Sequence, residues 1–419
     1  MKLNKLLAVG VFLLSYTAQA QLTLDGEFRP RTEYRNGYGN PISPNQKNAL
    51  FTDQRTRLNF GYTNQDVKTY LSIQDIRVWG NTSQLNRSDG NLSVHQAWAQ
   101  IPLDSFISLK AGRQEIIYDD HRIFGSVGWA TQARSHDAAL LKYHKKSLKV
   151  DLGLAYNQTA GGRFENLYTT PKNYKSMQYL YLNKELKGLT VSVLALNTGN
   201  QAVDTTGDYK TNYMQTVGGR LAKKTDKFSV SLNAFAQLGE DASFNPNKVS
   251  AYLVGLDFVL PVKDKSKVTL GYEIISGTSQ VDTVNTEMNS FSPLFGTNHK
   301  FNGFMDYYYV GNHAKSVGLQ DAYVKFNTKI KKFQTGVDVH MFMSAADVLD
   351  KAKGIAMDPY MGTEIDVYAT RKISKVATLK CGYSHYLTSE TLHAVKEGGD
   401  IDEVNNWAWV MLIVKPKFN

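Results

Sequence analysis

Apolar and polar side chains alternate along most of this chain. From Leu22 the even positions read Leu22, Leu24, Gly26 and Phe28, while the odd ones read Thr23, Asp25, Glu27, Arg29, Arg31, Glu33 and Arg35. A period of two is the pattern of a strand with one apolar and one charged face. It recurs over residues 148–156, 228–234 and 321–327. Helical spacing is rare, and residues 345–353 are the one stretch that reads as a short helix.

The connections alternate as regularly as the strands. Short joints fall near residues 62–66, 102–105, 144–147, 187–188, 223–227, 262–267, 329–332 and 371–375. Long polar segments lie near 36–50, 80–91, 119–133, 157–176, 198–212, 240–247, 278–317, 344–361 and 389–405. Eight turns and nine loops make seventeen connections and hence eighteen strands. An even strand count with short turns at one end and long loops at the other predicts an all-β, transmembrane, antiparallel up-and-down β-barrel of the bacterial outer membrane. Lipid offers the backbone no hydrogen-bond partners, so a spanning sheet must close on itself. Eighteen strands exceed the size at which side chains fill the interior, which predicts an aqueous channel. A soluble sandwich would share the alternation; the loop pattern, an N-terminal secretory signal, and Phe418 at the penultimate position of a last strand carrying Trp407 and Trp409 favour the barrel.

The first twenty residues add an address. Lys2 and Lys5 precede an apolar stretch from Leu6 to Leu14 and then Ala18-Gln19-Ala20, the layout of a secretory signal peptide. Residues 1–20 are therefore expected to be removed, leaving a barrel of residues 21–419. The longest later apolar run, residues 407–414, is too short for a membrane helix. Cys381 is the single cysteine, which excludes a disulfide framework and a cysteine-based zinc site.

At this point the residues resemble a known family. Asp53-Gln54-Arg55-Thr56-Arg57-Leu58, Gln74-Asp75-Ile76-Arg77-Val78-Trp79-Gly80 and Gly112-Arg113-Gln114-Glu115 are similar to the first third of the alginate-export family of outer-membrane barrels. Thr297-Asn298-His299-Lys300-Phe301, Gly303-Phe304-Met305-Asp306-Tyr307 and Gly318-Leu319-Gln320-Asp321-Ala322 resemble that family's long late loop and following strand. The resemblance implies an eighteen-stranded channel with an arginine-rich, partly acidic constriction. It defines the fold better than the cargo, since the family's relatives in bacteria without alginate carry other solutes. The expected partners are outer-membrane lipid, an anionic or carbohydrate solute moving passively or by export, and periplasmic export machinery; nucleic acid and cofactors are not expected.

Charge refines this reading. The net charge is +10, and removing Lys2 and Lys5 leaves +8. Six of the short turns hold fifteen basic residues against Glu185, Asp226 and Asp264, so the basic excess sits on the periplasmic rim, where it reads as a solvated edge. Arginine is distributed differently: ten of thirteen lie in residues 29–134, and Arg29, Arg31, Arg55, Arg57, Arg77 and Arg113 fall inside strands. Rings of arginine in a pore favour anions. Glu27, Glu33, Asp53, Asp75 and Glu115 interleave with them. The set therefore reads either as a selectivity filter or as a self-paired network that stiffens the wall, and a bulge near residues 71–79 would shift Arg77.

The longest loop, residues 278–317, is a candidate plug or gate carrying His299, Lys300, Asp306 and Tyr307, or else a receptor surface. Its His299, Asp306 and His313 are spaced too loosely for a metal site. Asp119-Asp120-His121 resembles the acid and histidine groups of an outer-membrane hydrolase but has no serine motif beside it. Residues 397–403 fit no calcium-ligand spacing. Tyr34, Tyr62, Trp79, Tyr156, Tyr272, Tyr383 and Tyr386 are assigned to the interfacial girdles.

Overall fold

In a computed structural model that describes residues 21–168, 170–282, 284, 286–309 and 316–418, the chain forms one closed sheet of eighteen antiparallel strands. They are β1 Gln21–Asn36, β2 Ala49–Thr63, β3 Lys68–Val78, β4 Leu92–Pro102, β5 Ile107–Gln114 and β6 His136–Lys145. β7 Leu148–Tyr156, β8 Ser176–Leu186, β9 Leu189–Val203, β10 Tyr209–Lys224, β11 Ser229–Glu240 and β12 Lys248–Val262 follow. β13 Ser266–Ile275, β14 Leu319–Ile330, β15 Phe333–Met343, β16 Tyr360–Lys372, β17 Ala377–Thr388 and β18 Asn405–Val414 complete it. Each strand pairs with its chain neighbour, and β1 closes on β18 with Arg31 opposite Met411 and Arg35 opposite Trp407. Beyond β18, Phe418 still donates its N–H to Leu24 O at 2.9 Å, extending the seam. The expected signal peptide, residues 1–20, lies outside the described residues, as does His313.

The expected face assignment holds on β1. Phe28 and Thr32 point outward, while Glu27, Arg29, Arg31 and Glu33 are buried within the lumen. Around the barrel the outward face is apolar, with Leu58, Leu152, Val217, Leu256, Val324, Val367 and Val410 exposed to lipid. Several strands are far longer than the roughly 9–11 residues a tilted strand needs to cross a membrane. β9 and β10 have 15 and 16 residues, so their hairpin projects outward and the loop expected over residues 198–212 shrinks to 204–208.

Large lumen rings pack on bare backbone across the ladder. Gly336 is paired with Tyr368 and Gly382 with Trp409. A Cβ at Gly336 would lie 2.2 Å from the Tyr368 ring, and one at Gly382 would lie 2.6 Å from the Trp409 indole nitrogen. Gly336→Ala and Gly382→Ala are therefore expected to force the rings off their seats, at about 1–3 kcal/mol each. The midpoint of the heat-modifiable band on gels should fall in both variants, and an unchanged midpoint would show that the rings move freely.

Residues 345–353 are not helical. Asp350 Oδ1 accepts the N–H groups of Ala352 and Lys353, and Gly354 takes a left-handed φ of 71°, so the segment folds back into a two-residue bridge of Leu349–Asp350 with Ile355–Ala356. The α-helix of the described residues is α1, Glu390–Lys396, where the Ser389 hydroxyl caps Leu392 N and buried Leu392 faces the interior. Good helix formers lost to a tight Asp-capped turn in one loop, and a serine N-cap decided the other.

Candidate functional site: the lumen and its two inward segments

Two loops fold into the barrel and meet there. Residues 115–135 join β5 to β6, and residues 276–318 join β13 to β14. They touch through main chain, with Gly125 N donating to Phe295 O and Thr297 N to His121 O, both at 2.9 Å. Phe124, Phe291, Met305 and Tyr307 are buried between them and the wall. The wall aromatics Trp407, Trp409 and Tyr386 close the cluster, with Tyr386 stacked on Tyr307 at 4.2 Å and its hydroxyl 2.7 Å from that of Tyr308. Tyr386 is thus an inner residue and leaves the girdle assignment, whereas Trp79, Tyr156, Tyr272 and Tyr383 are exposed.

Four of the expected arginines share one stretch of lumen wall because β1 and β2 pair with Arg29 opposite Arg55 and Glu27 opposite Arg57. Their forks are turned to the carbonyl oxygens of the first inward loop. Arg29 donates to Gly128 O at 2.5 Å and to Trp129 O at 3.1 Å, and Arg31 donates to Trp129 O at 2.6 Å. Arg55 reaches Ala130 O and Thr131 O, both at 3.3 Å, and Arg57 reaches Gln132 O at 3.5 Å. The interleaved acids hold the guanidiniums in place: Glu27 pairs with Arg55 at 2.6 Å, Glu33 with Arg31 at 2.7 Å, and Asp53 with Arg31 at 3.4 Å. Arg29 and Arg57 have no carboxylate within ion-pair distance among the described residues.

Arg77, Asp75 and Arg113 lie elsewhere. Arg77 is opposite Gln54 and Asp75 opposite Thr56, which puts them on the face of Leu58 rather than that of Arg55 and Arg57. Arg77 pairs with Asp75 and with Asp89 at the outer rim. Arg113 pairs with Asp137 at 3.1 Å, both exposed, on the face of Leu141. A bulge does occur here, but on β4, where the register with β3 slips past His95. It turns buried His95 inward to meet Glu115 at 2.8 Å, so Glu115 stays on the lumen side while Arg77 does not.

Residues outside the expected set secure the second loop. Arg122, itself in the first inward loop, donates to Glu273 of β13 at 2.9 Å through Nε and at 2.5 Å through Nη2, and reaches Asn302 Oδ1 at 3.2 Å. Glu364 of β16 accepts the N–H groups of Phe304 at 2.5 Å and Met305 at 2.8 Å. Asp321 accepts from His340 and from Asn302. A basic wall therefore holds carbonyls of one loop, and an acidic wall holds N–H and amide groups of the other. No run of residues announces most of these pairs, because the partner is main chain, as for Glu364 with Phe304 and Met305, or lies 151 positions away, as for Arg122 with Glu273.

Of the expected loop residues, His299 bonds Asp306 at 2.9 Å and stacks on Trp129 at 4.3 Å, and Tyr307 donates to Gly37 O at 2.6 Å. Lys300 donates to Asp120 O at 2.7 Å. Over this layer α1 brings Lys396 onto Tyr307 O, and burial pushes the Lys396 ammonium down to about 8. Asp119 accepts from Tyr181 and Ser192, and Asp120 from Arg220 and Asn233. The Ser192 hydroxyl thus rests on a carboxylate, not on an imidazole base. The described residues hold no cluster of three or more metal-ligating side chains.

On the periplasmic side of the inward segments a cavity of 540 Å³ opens, walled by Lys267, Lys325, Lys380, Tyr323 and Tyr368 and roofed by Trp129, Lys300 and Phe304. Aromatic and ammonium groups, with Asp257 and Asp338 beside them, thus line the lumen below the loop-filled layer.

A family model described as alginate export matches residues 20–400. The chain belongs to the alginate-export family. Among solved structures this alginate-export barrel is similar to OccD3 (OpdP) of Pseudomonas aeruginosa, with 14% identity, 95% of this chain and 92% of that chain covered, and a TM-score of 0.63. It is also similar to OccAB1 of Acinetobacter baumannii, at 11% identity, 96% and 100% coverage and a TM-score of 0.63. OccK2 (OpdF) of Pseudomonas aeruginosa, solved in complex with glucuronate, matches at 10% identity, 95% and 99% coverage and a TM-score of 0.59. At such identities the likeness is one of fold. No curated protein matches the chain. Family and architecture together make it a channel of the bacterial outer membrane.

Proposed function

We propose that this alginate-export barrel is a passive channel selective for small anionic solutes, with the inward segments acting as its constriction. The supporting observation is an imbalance among lumen charges. Arg57, Lys110 and Lys380 have no carboxylate partner among the described residues, and Lys110 sits 3.9 Å over the Trp98 ring. The carboxylates facing the same space are already engaged. Asp151 accepts from Tyr118 at 2.8 Å and from His144 at 2.9 Å, Asp257 from Tyr323 at 2.6 Å, and Asp338 from Tyr368 at 3.2 Å. An entering anion meets cations with free valence and acids whose oxygens are occupied. That glucuronate is bound by OccK2, a barrel of the same fold, is in keeping with a carboxylate cargo.

An ion passing about 8 Å from one charge gains about 0.5–2 kcal/mol at effective dielectrics of 80 to 20. Lys110→Gln with Lys380→Gln should therefore lower the anion-to-cation permeability ratio several-fold while conductance persists. Reversal potentials across planar bilayers under a salt gradient measure this. A cation-selective wild type, or a double variant with the wild-type ratio, would reject the assignment.

A further inference from the structure

The periplasmic rim carries a second charge pattern that the lumen does not use. The six consecutive turns between β6 and β17 hold nearly all the basic residues of that edge, whereas residues 64–67 and 103–106 contribute Asp66 and Asp104 and no cation. Register divides the basic residues into two sets. Lys149 shares the lumen face with Asp151 and takes Glu185 at 3.4 Å. Lys145, Lys184, Lys223 and Arg371 stand on the opposite, lipid-facing side, paired across the ladder with Leu148, Leu148, Val230 and Phe333 respectively. None of these four has a carboxylate within 4.0 Å among the described residues. Two of them lie on exposed rings at the lower edge of the apolar belt: Lys145 is 4.7 Å over Phe106 and Arg371 is 5.3 Å over Phe333.

A solvated edge would not need cations on the lipid side. An outward cation whose stem covers apolar surface and whose head reaches the interface is suited to a phosphate of the adjoining leaflet. We propose that Lys145, Lys184, Lys223 and Arg371 form an arc that binds anionic phospholipid head groups of the inner leaflet, anchoring this side of the barrel. Each cation near an anionic surface strengthens binding roughly fivefold. The arc spans β6 to β16, so it engages several lipids and leaves the sector of β1 to β5 without a charge anchor.

The test uses the folded full-length barrel in mixed micelles with equal amounts of phosphatidylglycerol and phosphatidylcholine, reading retained lipid by native mass spectrometry. The wild type should keep phosphatidylglycerol over phosphatidylcholine, and added salt should erase the preference. The Lys145→Gln, Lys184→Gln, Lys223→Gln, Arg371→Gln variant should lose it, and Lys184→Gln with Lys223→Gln, which leaves both ring contacts intact, should lose part of it. The lumen-side Lys149→Gln variant should keep it. A preference that survives in the quadruple variant, or that Lys149→Gln removes, would overturn the proposal and point instead to soluble polyanions at the pore mouth.

Discussion

Arg29→Ala with Arg55→Ala is expected to raise single-channel conductance several-fold and to make the open current noisy. The two guanidiniums hold the carbonyls of residues 128–131 against the β1–β2 wall. Hydrogen bonds from a charged donor contribute about 1.5–3 kcal/mol each, enough that losing several of them frees the loop even after water replaces a share. Glu27 keeps Lys415 at 3.1 Å, so the wall itself should hold and the folded band on gels should persist. Arg29→Lys with Arg55→Lys separates geometry from charge. A single ammonium cannot span the carbonyls that the fork spans, so conductance should still rise while anion preference stays. Conductance equal to wild type in the alanine variant would mean that the loop is held from elsewhere and that these arginines act on ions alone.

The largest effect is expected at Arg122→Met. Arg122 and Glu273 are both buried, and removing one partner of such a pair costs about 3–5 kcal/mol because it leaves a charge without compensation. Here the loss falls on the place where both inward loops meet the β13 wall, since Asn302 bonds the same carboxylate at 2.9 Å. Both loops should disengage, with protease cleavage appearing within residues 115–135 and 276–318 and with a conductance exceeding that of the Arg29/Arg55 variant. Glu273→Gln alone should do nearly as much, and Arg122→Met with Glu273→Leu should bring conductance a large part of the way back to the wild-type value. A double-mutant cycle reads the coupling directly. Additive effects would show that the two residues act separately and would remove the shared anchor.

The same contacts show what kind of information each residue carries. On β1 the charged positions alternate with apolar ones, and lipid on one side allows only one register, so the inward face of Arg29 and Arg31 is legible locally. Arg77 and Arg113 have the same composition around them, yet they face outward. Their side is decided by ladder register with Gln54 and Asp137, whereas the bulge at His95 turns only that histidine inward. Tyr386 stands on the opposite face of its strand from exposed Tyr383, and the rings of Tyr307 and Tyr308 reach it there from a loop far away.

By itself the sequence determined the closed sheet, its eighteen strands, which ends carry turns and which carry loops, and the polarity of the first two strands. Those features follow from one local requirement, alternation against lipid, repeated along the chain. Only the tertiary structure decided that Arg77 and Arg113 turn away from the lumen, that the forks of Arg29, Arg31, Arg55 and Arg57 meet main-chain carbonyls, and that Arg122 ties two loops to Glu273 across 151 positions. Carbonyl and N–H groups are the same at every residue, so a fork that binds them leaves no complementary side chain to find. Its partner exists only once the barrel has closed and the loops have nowhere to go but inward.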